Sequence, residues 1–234
     1  MRCTCEQLAS GAEGLSPICF AHLWLFRNLQ EQEVKALTEA AWRRRYEAGE
    51  LVFLQGDQAG IMFVIKAGRV KLVKAGSDGS EVLVDIRKAG DFLGETFLME
   101  DAKYPLTAEC MEESLLCGFT KARFERLVTE NPNIGLQIIR NMSDRIAWLT
   151  SRAASTSATH LEKRLHGVLT DLAREHGTRT ENGLVIQFPL THEELGFLVG
   201  AHRVSVTKAL KALRQAGKVA QRGKYLVLPV PAGH

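Results

Sequence analysis

The sequence predicts an α+β protein in three parts: an N-terminal β-roll of the jelly-roll type, a long helix, and a C-terminal winged helix-turn-helix. Three observations carry that prediction. Short runs rich in Val, Ile, Leu and Phe are punctuated by Gly49, Gly56, Gly60, Gly68, Gly76, Gly79, Gly90 and Gly94, the rhythm of strands joined by turns. Beyond Pro132 the apolar residues step by three or four, as they do along one stripe of a helix. The last third then combines a helix cap, a glycine turn and a surplus of cations.

The bulk composition sets the frame. With 234 residues, 45% of them apolar and 24% charged, the chain has room for two modest domains. No apolar run approaches the ~18 residues of a membrane span, and no signal-peptide block follows the first residues, so a cytoplasmic protein without membrane contact is expected. In a reducing compartment the odd count of five cysteines points to metal-binding or redox-active thiols rather than a disulfide framework. The histidines are scattered, and no G-x-S-x-G, phosphate loop or H-E-x-x-H is present, so no enzyme is expected. Charge is unevenly placed: residues 1–155 hold 19 Lys/Arg against 21 Asp/Glu, residues 156–234 hold 11 against 6. Between Phe197 and Leu228 stand Arg203, Lys208, Lys211, Arg214, Lys218, Arg222 and Lys224 with no acidic residue. Such a cluster is a footprint for a polyanion, most often nucleic acid.

Taken in order, residues 1–24 form an arm carrying Cys3, Cys5 and Cys19. Residues 25–130 form a β-roll domain with flanking helices, which the resemblance given below makes a sensor domain. It opens with a helix over Gln30–Arg43, where Val34, Leu37 and Ala41 recur at helical spacing, and continues as strands from Tyr46 to Phe119. "SDGS" at Ser77–Ser80 reads as a hairpin turn. From Lys121 the chain is helical, with a break at Asn131-Pro132. Residues 131–157 form a long helix and hinge, whose narrow seam is Leu136, Ile139, Met142, Ile146, Leu149 and Ala153; a seam of this kind packs on its own domain or pairs with a second copy, and the resemblance given below makes it a dimerisation helix. Residues 158–234 form the last domain: a helix over His160–His176, a turn plus a short strand in "GTRTENGLVIQFP", and the helix-turn-helix.

That motif is the most specific signal. Thr191 and Glu194 make a capping box, Gly200 supplies the turn, a second helix runs over His202–Gln215, and Gly217 ends it. A hairpin follows with Arg222-Gly223-Lys224 at its tip. Two helices about a glycine turn and a basic hairpin describe a DNA-binding winged helix. The expected contacts with double-stranded DNA are His202, Arg203, Val204, Ser205, Thr207, Lys208, Arg222 and Lys224. Arg holds guanine bidentately, Ser and Thr reach base edges or phosphate, and Lys neutralises phosphate.

The order of parts, with "GDFLGE" at Gly90–Glu95, "AGRVKL" at Ala67–Leu72 and "LTHEELGFLVGAHRVSVTKALKAL", resembles the CRP/FNR family of bacterial transcription regulators from about Leu25 to Leu228. The resemblance implies a cyclic-nucleotide-binding-type roll, a homodimer paired along the seam, a palindromic DNA site, and contact with RNA polymerase. In cyclic-nucleotide members an Arg-Ser pair holds the cyclic phosphate. Its positions are Pro105 and Leu106 here, although Glu95 keeps the ribose-contacting acid, so the resemblance argues against cAMP. The FNR branch is the better match: its internal cluster ligand follows a Pro by twelve residues, as Cys117 follows Pro105, and Cys110 does not match. Its other ligands lie in the tail, as Cys3, Cys5 and Cys19 do. The resemblance thus implies a [4Fe-4S] cluster on Cys3, Cys5, Cys19 and Cys117. The tail departs from the branch, with C-x-C-x13-C in place of C-x2-C-x5-C. That leaves two other readings open: a reversible disulfide between a tail cysteine and Cys117, and haem or a small ligand in the roll. Leu149 stands where the FNR branch has an Asp that opposes pairing, so a dimer is expected with or without cofactor. Val204 replaces the Glu common to CRP- and FNR-type members, while Arg203 matches the CRP-type guanine reader.

Overall fold

The computed structural model describes residues 20, 23, 26, 28–76, 79–155 and 160–229, with backbone alone at 148 and 151–155. The chain divides into two compact units, Met1–Arg145 and Ile146–His234.

The first unit begins with α1 (Glu31–Ala40) and continues through β1 (Trp42–Tyr46), β2 (Leu51–Phe53), β3 (Ile61–Ala67), β4 (Arg69–Ala75), β5 (Glu81–Lys88), β6 (Phe92–Leu93), β7 (Thr107–Cys110) and β8 (Ser114–Thr120). These strands form two antiparallel sheets, ordered β1-β8-β3-β6 and β2-β7-β4-β5. The helix predicted over Gln30–Arg43 stops at Ala40, and Trp42 and Arg43 belong to β1. The reason is the ladder: β1 pairs with β8 from Trp42↔Gly118 to Tyr46↔Ser114, and such pairing overrides a local helical pattern. A Cβ at Gly118 would stand 2.4 Å from the Trp42 indole, so the ring packs where only glycine leaves room. Between the sheets Phe53 stacks on Tyr104 at 3.9 Å and lies 6.0 Å from Phe63.

The predicted hairpin is β4–β5, paired from Arg69↔Lys88 to Ala75↔Glu81; Ser77 and Asp78 themselves lie outside the described residues. In "GDFLGE", Gly94 takes φ 79°, and a Cβ there would meet the Ile61 carbonyl at 2.8 Å. Only glycine enters this turn without strain, and it leads into a 3₁₀ turn over Glu95–Leu98.

Helix α2 (Lys121–Glu130) ends at Asn131, and α3 (Pro132–Ser155) starts on the proline, the position where a missing N–H is harmless. α3 turns Ile134, Ile138 and Asn141 into the first unit, all buried, and Asn133 Nδ2 donates to Glu33 of α1 at 2.9 Å. On another face Leu136, Ile139, Ile146 and Leu149 remain 50%, 59%, 65% and 42% exposed. Met142, assigned to the seam by spacing, is instead half-buried against the core of the roll; its place on the helix lies between the exposed stripe and the docked one. The side chain of Ala153 lies outside the described residues.

The second unit holds α4 (Leu161–His176), β9 (Gly177–Thr180), β10 (Gly183–Ile186), α5 (His192–Val199), α6 (Arg203–Gln215), β11 (Ala220–Arg222) and β12 (Tyr225–Leu228). Its sheet is ordered β11-β12-β10-β9. The segment predicted as a turn plus one strand is a complete hairpin, because Thr178 and Thr180, β-branched residues that suit a pleated edge, pair with Val185 and Gly183. Leu165 and Leu169 of α4 are fully buried, as are Leu195 of α5 and Val206 of α6.

Candidate nucleic-acid interface and sensor site

The helix-turn-helix is built as its sequence requires. The Thr191 hydroxyl accepts from the Glu194 N–H at 3.1 Å, and the Glu194 carboxylate accepts from the Thr191 N–H at 2.7 Å. Gly200 closes α5 with φ 63°, the left-handed cap that L side chains adopt at a cost. α6 buries Val206, Ala209, Leu210 and Leu213 and exposes His202, Arg203, Val204, Ser205, Thr207 and Lys208. Val204 is 59% exposed, an apolar side chain set among cations. Arg222 and Lys224 are exposed on either side of Gly223 at the hairpin tip.

One member of this set is engaged within the motif. The Thr207 hydroxyl donates to the Arg203 carbonyl at 3.0 Å, and His192 Nδ1 stands 2.8 Å from the Thr207 hydroxyl oxygen. With its proton committed, the hydroxyl accepts from an Nδ1–H, so His192 braces α5 against α6. Sequence reasoning missed this residue; its position in the first turn after the cap is the signal that could have found it.

In the roll, Cys117 lies on β8 opposite Arg43 of β1 and Val64 of β3, and Val64 pairs onward with Phe92 of β6. Cross-strand partners share a face, so Arg43, Cys117, Val64 and Phe92 form one row. Phe26 meets Phe92 edge-on at 6.3 Å and Phe20 at 5.6 Å, and Lys66 Nζ is 4.3 Å from the Phe20 ring. Cys117, Lys66, Phe20 and Phe26 are all inaccessible to solvent. Cys3, Cys5 and Cys19 lie outside the described residues. Cys110 is on β7, in the other sheet, and burial pushes its thiol up to about 11, which keeps it protonated and inert.

A third constellation was not anticipated. Asp85 and Arg87 of β5 are both buried. One Asp85 oxygen accepts from the Ile86 N–H at 2.8 Å and the other from Arg87 Nε at 2.7 Å, and Arg145 of α3 also pairs with Asp85. Arg87 reaches the Phe92 carbonyl at 3.1 Å and Glu95 at 3.1 Å. Two guanidiniums and two carboxylates therefore join β5, the turn after "GDFLGE" and α3. The alternation Leu83, Asp85, Arg87 in a strand was the available signal. Pro105 is exposed and Leu106 packs at the margin of the core.

Two family models match in tandem: a cyclic nucleotide-binding domain over residues 43–131 and a Crp-like helix-turn-helix domain over residues 163–232. The chain belongs to the CRP/FNR family of transcriptional regulators. This regulator is 26% identical over 208 residues to a CRP-like cAMP-activated global transcriptional regulator of Mycobacterium tuberculosis, spanning 89% of this chain and 93% of the relative. It is 23% identical over 201 residues to the fumarate and nitrate reduction regulatory protein of Salmonella typhimurium, spanning 86% and 80%. The fold is shared with the c-di-GMP responsive global regulator CLP of Xanthomonas campestris, at a TM-score of 0.73 and 24% identity over 86% of this chain and 100% of that one. The regulator is accordingly a DNA-binding protein. Among its described residues no helix is long and apolar enough to cross a membrane.

Proposed function

We propose that this regulator works as a homodimer on a palindromic promoter site, contacts RNA polymerase, and answers a redox or oxygen signal through an iron–sulfur cluster held by Cys3, Cys5, Cys19 and Cys117. The exposed stripe of α3 supports the dimer, since four large apolar side chains on one helix seek a partner surface. For the sensor, the supporting observation is the placement of Cys117. It lies on the sheet face covered by Phe20 and Phe26, and Cys19 directly precedes Phe20 in the chain. When bound, a [4Fe-4S] cluster supplies oxygen-sensitive one-electron chemistry. The chain's own part is to provide thiolates, to keep water off with Phe20, Phe26 and Phe92, and to leave the buried, protonated Cys110 out of the ligand set.

Cyclic AMP does not suit the roll. The side chains of Pro105 and Leu106 offer no polar group to a phosphate, and the Arg87 and Arg145 guanidiniums already face carboxylates. A buried phosphate charge would lack its own cation, and such burial is costly.

Two experiments test this reading. Anaerobically purified protein should be brown and hold about four irons per chain, and Cys117→Ser should lose most of that iron. A colourless protein whose tail thiols oxidise reversibly onto Cys117 replaces the cluster with a disulfide, and a colourless protein that does neither overturns the redox reading. On DNA, Arg203→Ala should cost about 1–3 kcal/mol and relax selectivity at one guanine of the half-site. Equal losses on specific and random duplexes would show that Arg203 contacts only phosphate.

A further inference from the structure

The winged-helix unit contains a cavity that DNA reading leaves unexplained. Its volume is about 620 Å³, within the span of small-molecule sites. None of the residues expected to contact DNA lines it. Its floor is apolar and set by register. Arg179 of β9 pairs with Leu184 of β10, which pairs onward with Leu228 of β12, so the three share one face of the sheet. Leu228 is buried and Leu184 half-buried. One wall is α4, which contributes Thr170 and Arg174 from a single helix face. Lys218, just beyond the end of α6, also lines the cavity.

The lining is one-sided in charge. Arg174, Arg179 and Lys218 are exposed cations. Among the described residues no Asp or Glu lines the cavity, and none of the three cations makes an ion pair. Arg44, Arg45, Arg69 and Arg87, by contrast, each meet a carboxylate. The Thr170 hydroxyl donates to the His166 carbonyl at 2.8 Å, so an acidic guest is left to the cations.

We propose that this cavity binds an amphipathic organic anion, a small molecule with an apolar body and one carboxylate or phosphate head. The body covers Leu184 and Leu228 and takes apolar surface out of water. The head accepts charge-assisted hydrogen bonds from Arg174 and Arg179, whose planar forks match carboxylate and phosphate alike, and Lys218 adds a point charge. An uncharged guest would leave the cations unanswered, and a bare ion would leave the floor wet. Every residue involved belongs to the second unit, so the site holds whether or not the roll carries a cluster.

The test titrates the full-length protein with decanoate and with decyl phosphate, with decanol and acetate as controls. Heat is measured, and the Leu184 and Leu228 methyl resonances are followed. At least one of the two amphiphiles should bind, shift both methyls, and bind roughly ten-fold tighter than decanol; acetate should not bind. The double variant Arg174→Gln/Arg179→Gln should lose roughly ten-fold in affinity, while Arg140→Gln, an exposed cation of α3, should match wild type. Unfolding midpoints check that the variants fold. The site is refuted if neither amphiphile binds, if the double variant binds as tightly as wild type, or if the two methyls stay unmoved. It is equally refuted if the double variant keeps the amphiphile and instead loses affinity for random-sequence duplex, which would assign these cations to DNA phosphate.

Discussion

Replacing Ile146 by Asp is expected to separate the regulator into monomers and to abolish tight binding to a palindromic site. Ile146 is the most exposed member of the α3 stripe, at 65%, so the single chain loses little when it changes. A pair of chains loses much. In a two-fold interface each substitution appears twice, and each apolar side chain denied burial forfeits about 1.5–3 kcal/mol. The sum of about 3–6 kcal/mol corresponds to two to four orders of magnitude in dissociation constant, before any repulsion between the two carboxylates. Sedimentation or sizing chromatography at micromolar concentration should show the shift to monomer, with unfolding midpoints close to wild type. Half-site contacts would survive, but a monomer engages only one of them, so affinity for the full site falls steeply. A variant that remains dimeric would place the interface elsewhere.

The second large effect is expected at Asp85. This carboxylate is 3% exposed and faces both Arg87 and Arg145. Breaking a buried ion pair from one side leaves an uncompensated charge, at a cost of about 3–5 kcal/mol. Asp85→Ala would remove the carboxylate that both Arg87 and Arg145 face, so the loss should lie in that range. Asp85→Asn retains an acceptor for the Ile86 N–H and should lose less. Urea denaturation with an unchanged slope measures the difference. Because Arg145 lies on α3, the same variant should speed amide exchange around Ile138 and Asn141, where that helix docks. A loss below about 1 kcal/mol would mean that water reaches the site and screens it.

Legibility differed from one element to another for physical reasons. The helix-turn-helix could be read almost to the residue, because a capping box, a left-handed glycine and an amphipathic period are local signals. The glycine-punctuated strands could be read as a roll for the same reason. Strand β1 was hidden: in "AAWRRRY" the alternation of Trp42, Arg44 and Tyr46 competes with the helical spacing of Val34, Leu37 and Ala41, and only pairing with β8 decides. Met142 fell on the wrong side because a spacing rule does not say where the roll ends. The Asp85–Arg87 alternation in β5 was visible in the sequence, but its joining to Glu95 and Arg145 was not, since those come from two other elements that only the fold brings together. The same holds for Arg43, whose neighbour Cys117 is set by strand register rather than by distance along the chain. Thr207 was expected to contact DNA, but the bond that ties it to His192 needs the crossing of two helices.

Val204 carries a consequence for how the genome is read. Its side chain offers a methyl-sized apolar contact where an acid would have accepted a hydrogen bond from cytosine N4. Cytosine gains nothing from it, whereas thymine does. A cytosine methylated at its fifth carbon presents its methyl at the same place in the major groove as thymine. Were Val204 to meet that base as proposed, duplexes carrying 5-methylcytosine at this step should bind at least as tightly as unmethylated ones, and paired binding measurements on the two would check it.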